Sequence, residues 1–541
     1  MNSIHRRSLL LAGLGIAGVG TLAACSSGSS NTPALLSPSG TAVAQTEKKR
    51  RSTGTERKVT LTAAPATLDL AGVTARTWAY DGQAPGKEIR ISAGDTLVAE
   101  LSNQLPGKTP TSVHWHGLAL RDDMDGVPMV TQGDVRAGST FTYRFIAADP
   151  GTYWFHPHSG VQLDRGLYAP LIVEDPREPL SYDDEWVVVL DDWLDGVTGT
   201  PDEALAELRQ GMSGMDVGGH NSPSAGSTPG HDMSGHDMGD MDMDGMSASP
   251  FASSSGDSDG MSMRFMFMGA TSDLLGGDAG DVKYPYHLIN GKVPADPHVY
   301  TSKPGRRVRL RFINAGGDTA YRVALGGHRM TVTHTDGFPV EHRQTDALLI
   351  GMGERYDVLV TLGDGVFPLV ALAEGKDATG LALVRTASGS APSVTVRPKE
   401  LDGTVTTAAA LKAADDVRLP GRKADVVHRV ELTGGMEKYD WAINGRKFDM
   451  RNPDADPFLV EEGQRVRLDF VNTTDMWHPM HLHGHTYQLG SGGARKDTTI
   501  VLPKKTVSVV FDADNPGQWM LHCHNVYHGE VGMMALVAYR A

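Results

Sequence analysis

Near the C-terminus the chain reads His522-Cys523-His524-Asn525-Val526-Tyr527-His528-Gly529-Glu530-Val531-Gly532-Met533. A thiolate, imidazoles and a thioether are the donors of a trigonal His₂Cys copper centre with a weak axial methionine, a type of site that passes single electrons. One imidazole is missing from this stretch and has to come from elsewhere. Side chains alternate along a strand, so if Cys523 faces one metal, His522 and His524 face the opposite way. A second metal site is therefore expected behind the first.

With 21 histidines in 541 residues, about one His-x-His pair arises by chance. Four occur in ordered contexts: His114-Trp115-His116-Gly117, His156-Pro157-His158, His481-Leu482-His483 inside His478-Pro479-Met480-His481-Leu482-His483-Gly484-His485, and His522-Cys523-His524. Such a set reads as metal ligands rather than as scattered core or surface histidines. The four segments resemble the copper-binding signatures of the multicopper oxidases. The resemblance extends to Asp125-Gly126-Val127-Pro128, Gly151-Thr152-Tyr153-Trp154-Phe155 and Gly517-Gln518-Trp519-Met520-Leu521, and it covers nearly the whole chain after its N-terminal segment.

What the resemblance implies can be carried over residue by residue. His478, Cys523 and His528 would hold a type 1 copper with Met533 as weak axial ligand, Met534 being a packing residue. His114 and His481 would bind a type 2 copper, and His116, His156, His158, His483, His522 and His524 a type 3 pair, making four copper ions with dioxygen as co-substrate. Asp125 matches the family's acidic residue after the first signature and would relay protons, although Asp-Gly is also turn chemistry. Glu530 is a second acid candidate, displaced by one position because Gly529 follows the ligand histidine directly. Asp449 and Met450 resemble a segment that could hold cuprous substrate. His287, His298, His328 and His334 are expected to be structural, and His485 falls outside the ligand set.

These residues need rigid elements to position them. Val59-Thr60-Leu61, Thr96 to Leu101, Phe141 to Phe145, Trp186 to Leu190, Val308 to Phe312 and Val466 to Phe470 are β-branched or alternating runs bounded by Gly, Pro, Asp and Asn, which predicts β-sandwiches. A weak repeat divides them. Gly94, Gly305 and Gly463 each precede such a strand, and Asn103, Asn314 and Asn472 follow it, as three copies of one domain would. The family resemblance implies the same all-β fold, three Greek-key cupredoxin-like domains. The expected divisions are 58–180, 181–388 and 425–541, with a linker at 389–424 that includes a short helix near Thr406 to Ala414. The middle domain has no His-x-His pair and, by the resemblance, acts as a spacer. Domains one and three would then share the dioxygen cluster at their interface.

The N-terminus carries Arg6-Arg7, an apolar run and Leu22-Ala23-Ala24-Cys25, the layout of a twin-arginine export signal over 1–25. Its end resembles a lipoprotein cleavage site with Cys25 lipidated, which would place a bacterial protein at the outer face of the membrane. Residues 26–57, rich in Ser, Thr, Gly and basic groups, read as a flexible tether. The only other cysteine is Cys523. A net charge of −15 argues against a nucleic-acid partner, and the body is expected to be a monomer.

The segment 211–268 is poor in aliphatic residues and dense in Met, His, Asp, Gly and Ser, as in His231-Asp232-Met233-Ser234-Gly235-His236-Asp237-Met238. Thioethers are soft ligands for cuprous ion. Together with similar inserts in the family's copper-tolerance members, this points to oxidation of Cu(I) to Cu(II) with dioxygen. The alternatives are a laccase acting on phenols or aromatic amines and, from another class, a copper storage or delivery protein. Two-domain copper nitrite reductases are disfavoured because they lack the paired dioxygen-binding coppers.

Overall fold

The computed structural model describes residues 34–212 and 263–541. The first sheet pairs Val73–Tyr80, Glu56–Leu70, Thr96–Asn103 and Thr140–Ile146 in that order; facing it is a sheet of Ile89–Ser92, Ala169–Glu174, Gly151–His156 and His114–His116. The pattern recurs twice. Two six-stranded sheets are built on Asp184–Trp193 with Arg307–Asn314 and on Val366–Ala373 with Ala378–Arg385. Further along, Val426–Thr433, Arg465–Asn472 and Thr506–Asp512 share one sheet, and His478–Leu482, Gln518–Cys523 and Met534–Tyr539 share another. Each sandwich buries the inward-facing half of its alternating strands in a separate apolar core.

The asparagine repeat has a structural reason. The Asn103 amide donates to the carbonyls of Thr109 and Val135, and its oxygen accepts the Leu105 amide. Asn314 donates to Thr319 and Ile350 and accepts from Gly316, and Asn472 donates to Met476 and Val501 and accepts from Thr474. In each copy a buried side chain substitutes for ladder partners where the strand ends, so the loop that follows is pinned to the opposite sheet.

Two expectations from the sequence need correction. Residues 34–57 are not a free tether: Leu35 bridges Arg540, Thr41–Lys49 is a helix with Val43 buried, and the first strand begins at Glu56. Arg50 donates to the Leu120 carbonyl and to Asn515, and Glu47 accepts the Ile146 amide. The Ala, Gln, Glu and Lys of this stretch are good helix formers, and these tertiary contacts supply what composition does not reveal. The helix expected near Thr406 to Ala414 is reduced to a 3₁₀ turn at Ala408–Ala410 beside the short strand Val405–Thr406. Cys25, the rest of the export signal expected over 1–25, and residues 213–262 of the Met/His-rich segment lie outside the described residues. Among the described residues no helix is long and apolar enough to cross a membrane.

Candidate copper centres

Two antiparallel ribbons carry the histidines. In the first sandwich His114 lies opposite His156, and His116 opposite Trp154. In the last, His481 lies opposite His522 and Met480 opposite Cys523. This register turns His481, His483, His522 and His524 toward the first sandwich, while Cys523 and His478 face the core of their own. After Cys523 the chain forms the short helix Val526–Val531, capped by the Asn525 side chain, which accepts the amides of Tyr527 and His528. That turn swings His528 back toward Cys523. Gly532, at φ +129°, then returns the chain into Met534–Tyr539, and Cys523 donates its amide to the Met533 carbonyl at 3.0 Å.

In the core-facing group the Nδ1 atoms of His478 and His528 are 3.1 Å apart, and the Cys523 sulfur lies 3.6 and 3.7 Å from them. The outer nitrogens are occupied: His478 Nε2 by the Thr474 hydroxyl at 2.9 Å and His528 Nε2 by Asp281 Oδ2 at 2.8 Å. With its proton committed to Asp281, His528 presents a lone pair inward. Burial pushes the Cys523 thiol up and holds the His478 imidazole well below its ordinary range. A cation is what would reconcile a sulfur and two inward nitrogens at such spacing, and Met533 is fully buried in the same core.

At the interface the ring nitrogens again converge. His114 and His481 approach through Nε2 at 3.5 Å, His483 and His522 through Nε2 at 3.1 Å, and His524 Nε2 meets His116 Nδ1 at 3.2 Å. The donor atoms of His116, His156 and His524, and those of His158, His483 and His522, each lie within 4.8 Å of one another. Among the described residues buried His156 Nε2 and His524 Nδ1 have no hydrogen-bond partner, and buried polar atoms are rarely left so. Burial, with neighbouring histidines adding to it, keeps His156, His158, His483 and His524 far below ordinary imidazole values, so they are neutral donors. The donor chemistry fits bound copper.

Asp125 forms the expected turn and also contacts two of the interface histidines. Its carboxylate accepts from His483 Nδ1 at 2.8 Å and lies 3.2 Å from His114 Nδ1, whose ring also meets the Asp125 carbonyl at 2.9 Å. The turn requires Gly126, at φ +84°, because a Cβ there would sit 1.8 Å from the Val113 carbonyl oxygen. Glu530 lines both a small cavity of about 30 Å³ shared with His156, His158, His522 and His524 and a larger cleft of about 660 Å³. Burial raises its carboxyl to about 7, against the opposing pull of Arg209.

Asp449 and Met450 are not brought to the Cys523 group. Asp449 is half-exposed and paired with Arg451, and Met450 lines the cleft near Met534 and Glu530. His485 is held by the Tyr539 hydroxyl, His287 by Tyr321, His328 by the Gly326 carbonyl, and His334 by Thr333. Asp281, Thr474, Asp497 and Arg355 were not singled out in the sequence, since none sits in a recognisable motif and each meets the site only through the tertiary fold.

Three β-sandwiches with a cysteine-bearing donor set in the last, and histidine sets where the first meets the last, define an oxidoreductase built around several coppers. The chain belongs to the multicopper oxidase family: models described as multicopper oxidase match residues 62–178, 269–388 and 422–541. It is 45% identical over 540 residues to multicopper oxidase MmcO of Mycobacterium tuberculosis, covering 99% of this chain and 96% of that one. It is 28% identical to copper resistance protein A of Escherichia coli, over 87% of this chain and 91% of that one. A solved multi-copper oxidase from Pseudomonas thermotolerans superposes with a TM-score of 0.62 at 25% identity, over 90% of this chain and all of that one.

Proposed function

We propose that this multicopper oxidase is an exported cuprous oxidase, coupling one-electron oxidation of Cu(I) to four-electron reduction of dioxygen to water and so limiting copper toxicity. The observation that carries this reading is where the Met/His-rich segment is rooted. Met212 donates its amide to the Glu437 carbonyl, Phe265 and Met266 donate theirs to Glu207, and Met212 and Met263 pack on the core that holds Cys523 and Met533. The described residues on either side of the methionine-rich segment thus pack on the same apolar core as Cys523 and Met533. Copper tolerance is also the role in the name of copper resistance protein A.

In this reading His478, Cys523, His528 and Met533 hold a type 1 copper. His114 and His481 hold a type 2 copper, and His116, His156, His524, His158, His483 and His522 hold a type 3 pair. When bound, these coppers supply single-electron acceptance and the dioxygen chemistry. The protein contributes the rest. The peptide His522-Cys523-His524 joins the two groups by continuous covalent bonds, so nothing has to move between them. Asp125 orients His114 and His483. Glu530, its carboxyl raised by burial to about 7, stands at the wall of the cavity beside His158 and His522 and can both hold and release a proton near neutral pH, which suits it, with Asp125, to proton supply.

Oxygen uptake by the copper-loaded chain with Cu(I), and with a phenol, before and after deletion of 213–262, tests the proposal. Deletion is expected to weaken cuprous turnover and leave phenol turnover unchanged. Equal cuprous turnover by both forms refutes the copper-collecting segment, phenol turnover alone indicates a laccase, and copper retention without oxygen uptake indicates a storage protein. Tethering through Cys25 predicts that Cys25→Ala releases the protein from the membrane fraction; unchanged retention counts against it.

A further inference from the structure

Among the described residues the middle sandwich supplies no histidine to the interface, yet one of its side chains reaches the interface histidines through a single intermediary. Arg355, fully buried, donates from Nη1 to Asp497 Oδ1 at 2.7 Å and from Nη2 to Oδ2 at 2.6 Å. That bidentate fork fixes the plane of the carboxylate. Asp497 Oδ1 then lies 3.1 Å from His116 Nε2, and the Asp497 carbonyl oxygen lies 3.0 Å from His481 Nδ1. The Thr498 hydroxyl sits 3.2 Å from His116 Nε2 and 3.1 Å from His481 Nδ1. In both rings the nitrogen engaged is the one facing away from the other donors.

The intermediary is itself held from the middle sandwich. Asp336 Oδ2 accepts the amides of Asp497 and Thr498 at 3.1 Å, and its Oδ1 accepts the Arg355 amide at 2.8 Å. Arg355 Nε donates to the Thr152 carbonyl of the first sandwich at 3.1 Å. The space is cut to fit: a Cβ on Gly117 would lie 2.3 Å from Arg355 Nη2, and one on Gly353 would lie 2.8 Å from His524 and 3.0 Å from His116. Burying a guanidinium is costly, and such a network is weak evidence for stability alone. Outer partners that orient ligand histidines, by contrast, commonly set metal affinity.

We propose that Arg355 is a positioning residue for the interface copper sites, clamping Asp497 so that His116 and His481 present their free nitrogens in one fixed orientation. The middle sandwich is then a working part of the site rather than the spacer expected from the sequence. A lysine would not reproduce this, because a point charge on a flexible stem cannot fix the carboxylate plane.

The proposal rests on the copper reading above, and its test separates the two. Wild-type protein and Arg355→Lys are loaded with copper, then challenged with a chelator while copper content, the blue thiolate absorption and the EPR spectrum of the non-blue copper are followed. The expected result is retention of the blue absorption with about 10- to 100-fold weaker hold on interface copper and an altered non-blue EPR signal. Should Arg355→Lys fail to fold, Thr498→Val, of matching shape, is expected to speed copper loss from the interface and shift the same EPR signal. If wild-type protein is blue and a folded variant keeps its copper with the wild-type EPR spectrum, whatever its melting temperature, the clamp is overturned. If wild-type protein binds no copper, the functional reading fails and the clamp falls with it.

Discussion

Replacing Asp281 by asparagine should raise the reduction potential of the site formed by His478, Cys523 and His528. Asp281 is fully buried; its Oδ2 accepts from His528 Nε2 at 2.8 Å and from the Tyr439 hydroxyl at 3.0 Å, and its Oδ1 has no partner among the described residues. A carboxylate on the outer nitrogen favours the more positive, oxidised state of whatever the inner nitrogen binds. Asparagine has the same volume and still offers an oxygen to His528, so no cavity forms and the change isolates the charge. Hydrogen bonds to charged groups contribute about 1.5–3 kcal/mol and neutral ones about 1 kcal/mol, leaving a difference of roughly 0.5–2 kcal/mol. At about 59 mV per decade for one electron and about 1.4 kcal/mol per decade, that is an upward shift of roughly 20–85 mV. A redox titration followed through the blue absorption measures it. An unchanged or lowered potential in a folded, blue variant would refute the reasoning.

Other substitutions separate the remaining roles. Cys523→Ser should abolish the blue thiolate absorption while leaving interface copper in place; persistence of the colour would defeat the assignment of Cys523. Glu530→Gln should slow steady-state oxygen uptake roughly tenfold or more, as loss of a proton donor does, without slowing anaerobic bleaching of the blue site by Cu(I); equal rates of uptake would remove Glu530 from proton supply. For Asp357 burial opposes ionisation, but the guanidinium groups of Arg309 and Arg311 outweigh it and hold the carboxyl at about 2. Its folded value lies below its unfolded one, so its contribution of about 2 kcal/mol is present above about pH 4 and lost as pH falls through 2. Denaturant melts of Asp357→Asn should show at least that loss at neutral pH and a shrinking gap in acid; a gap independent of pH would contradict it.

The histidines that the structure brings together were legible in the sequence because strand alternation and short turns are local. His522, Cys523 and His524 had to face alternate sides whatever else the chain did, and the three Asn-terminated strands repeat for the same reason. Residues 41–49 misled because a polar, basic stretch looks like a linker until Arg50 finds Asn515, a partner 465 residues away. The short helix near Thr406 failed for a related reason: good helix formers there yield to pairing of Val405–Thr406 with Ala347–Leu348.

By itself, then, the sequence determined which side chains are candidate donors, on which strands they lie and that the fold is built from repeated β-sandwiches. It could not determine what stands behind the donors. Asp281 meets His528 across 247 residues, Arg355 meets Asp497 across 142, and Asp125 meets His483 across 358. A lone Asp or Arg carries no spacing signal, and a buried charge acquires its role only from the partner that the tertiary fold places within hydrogen-bond reach.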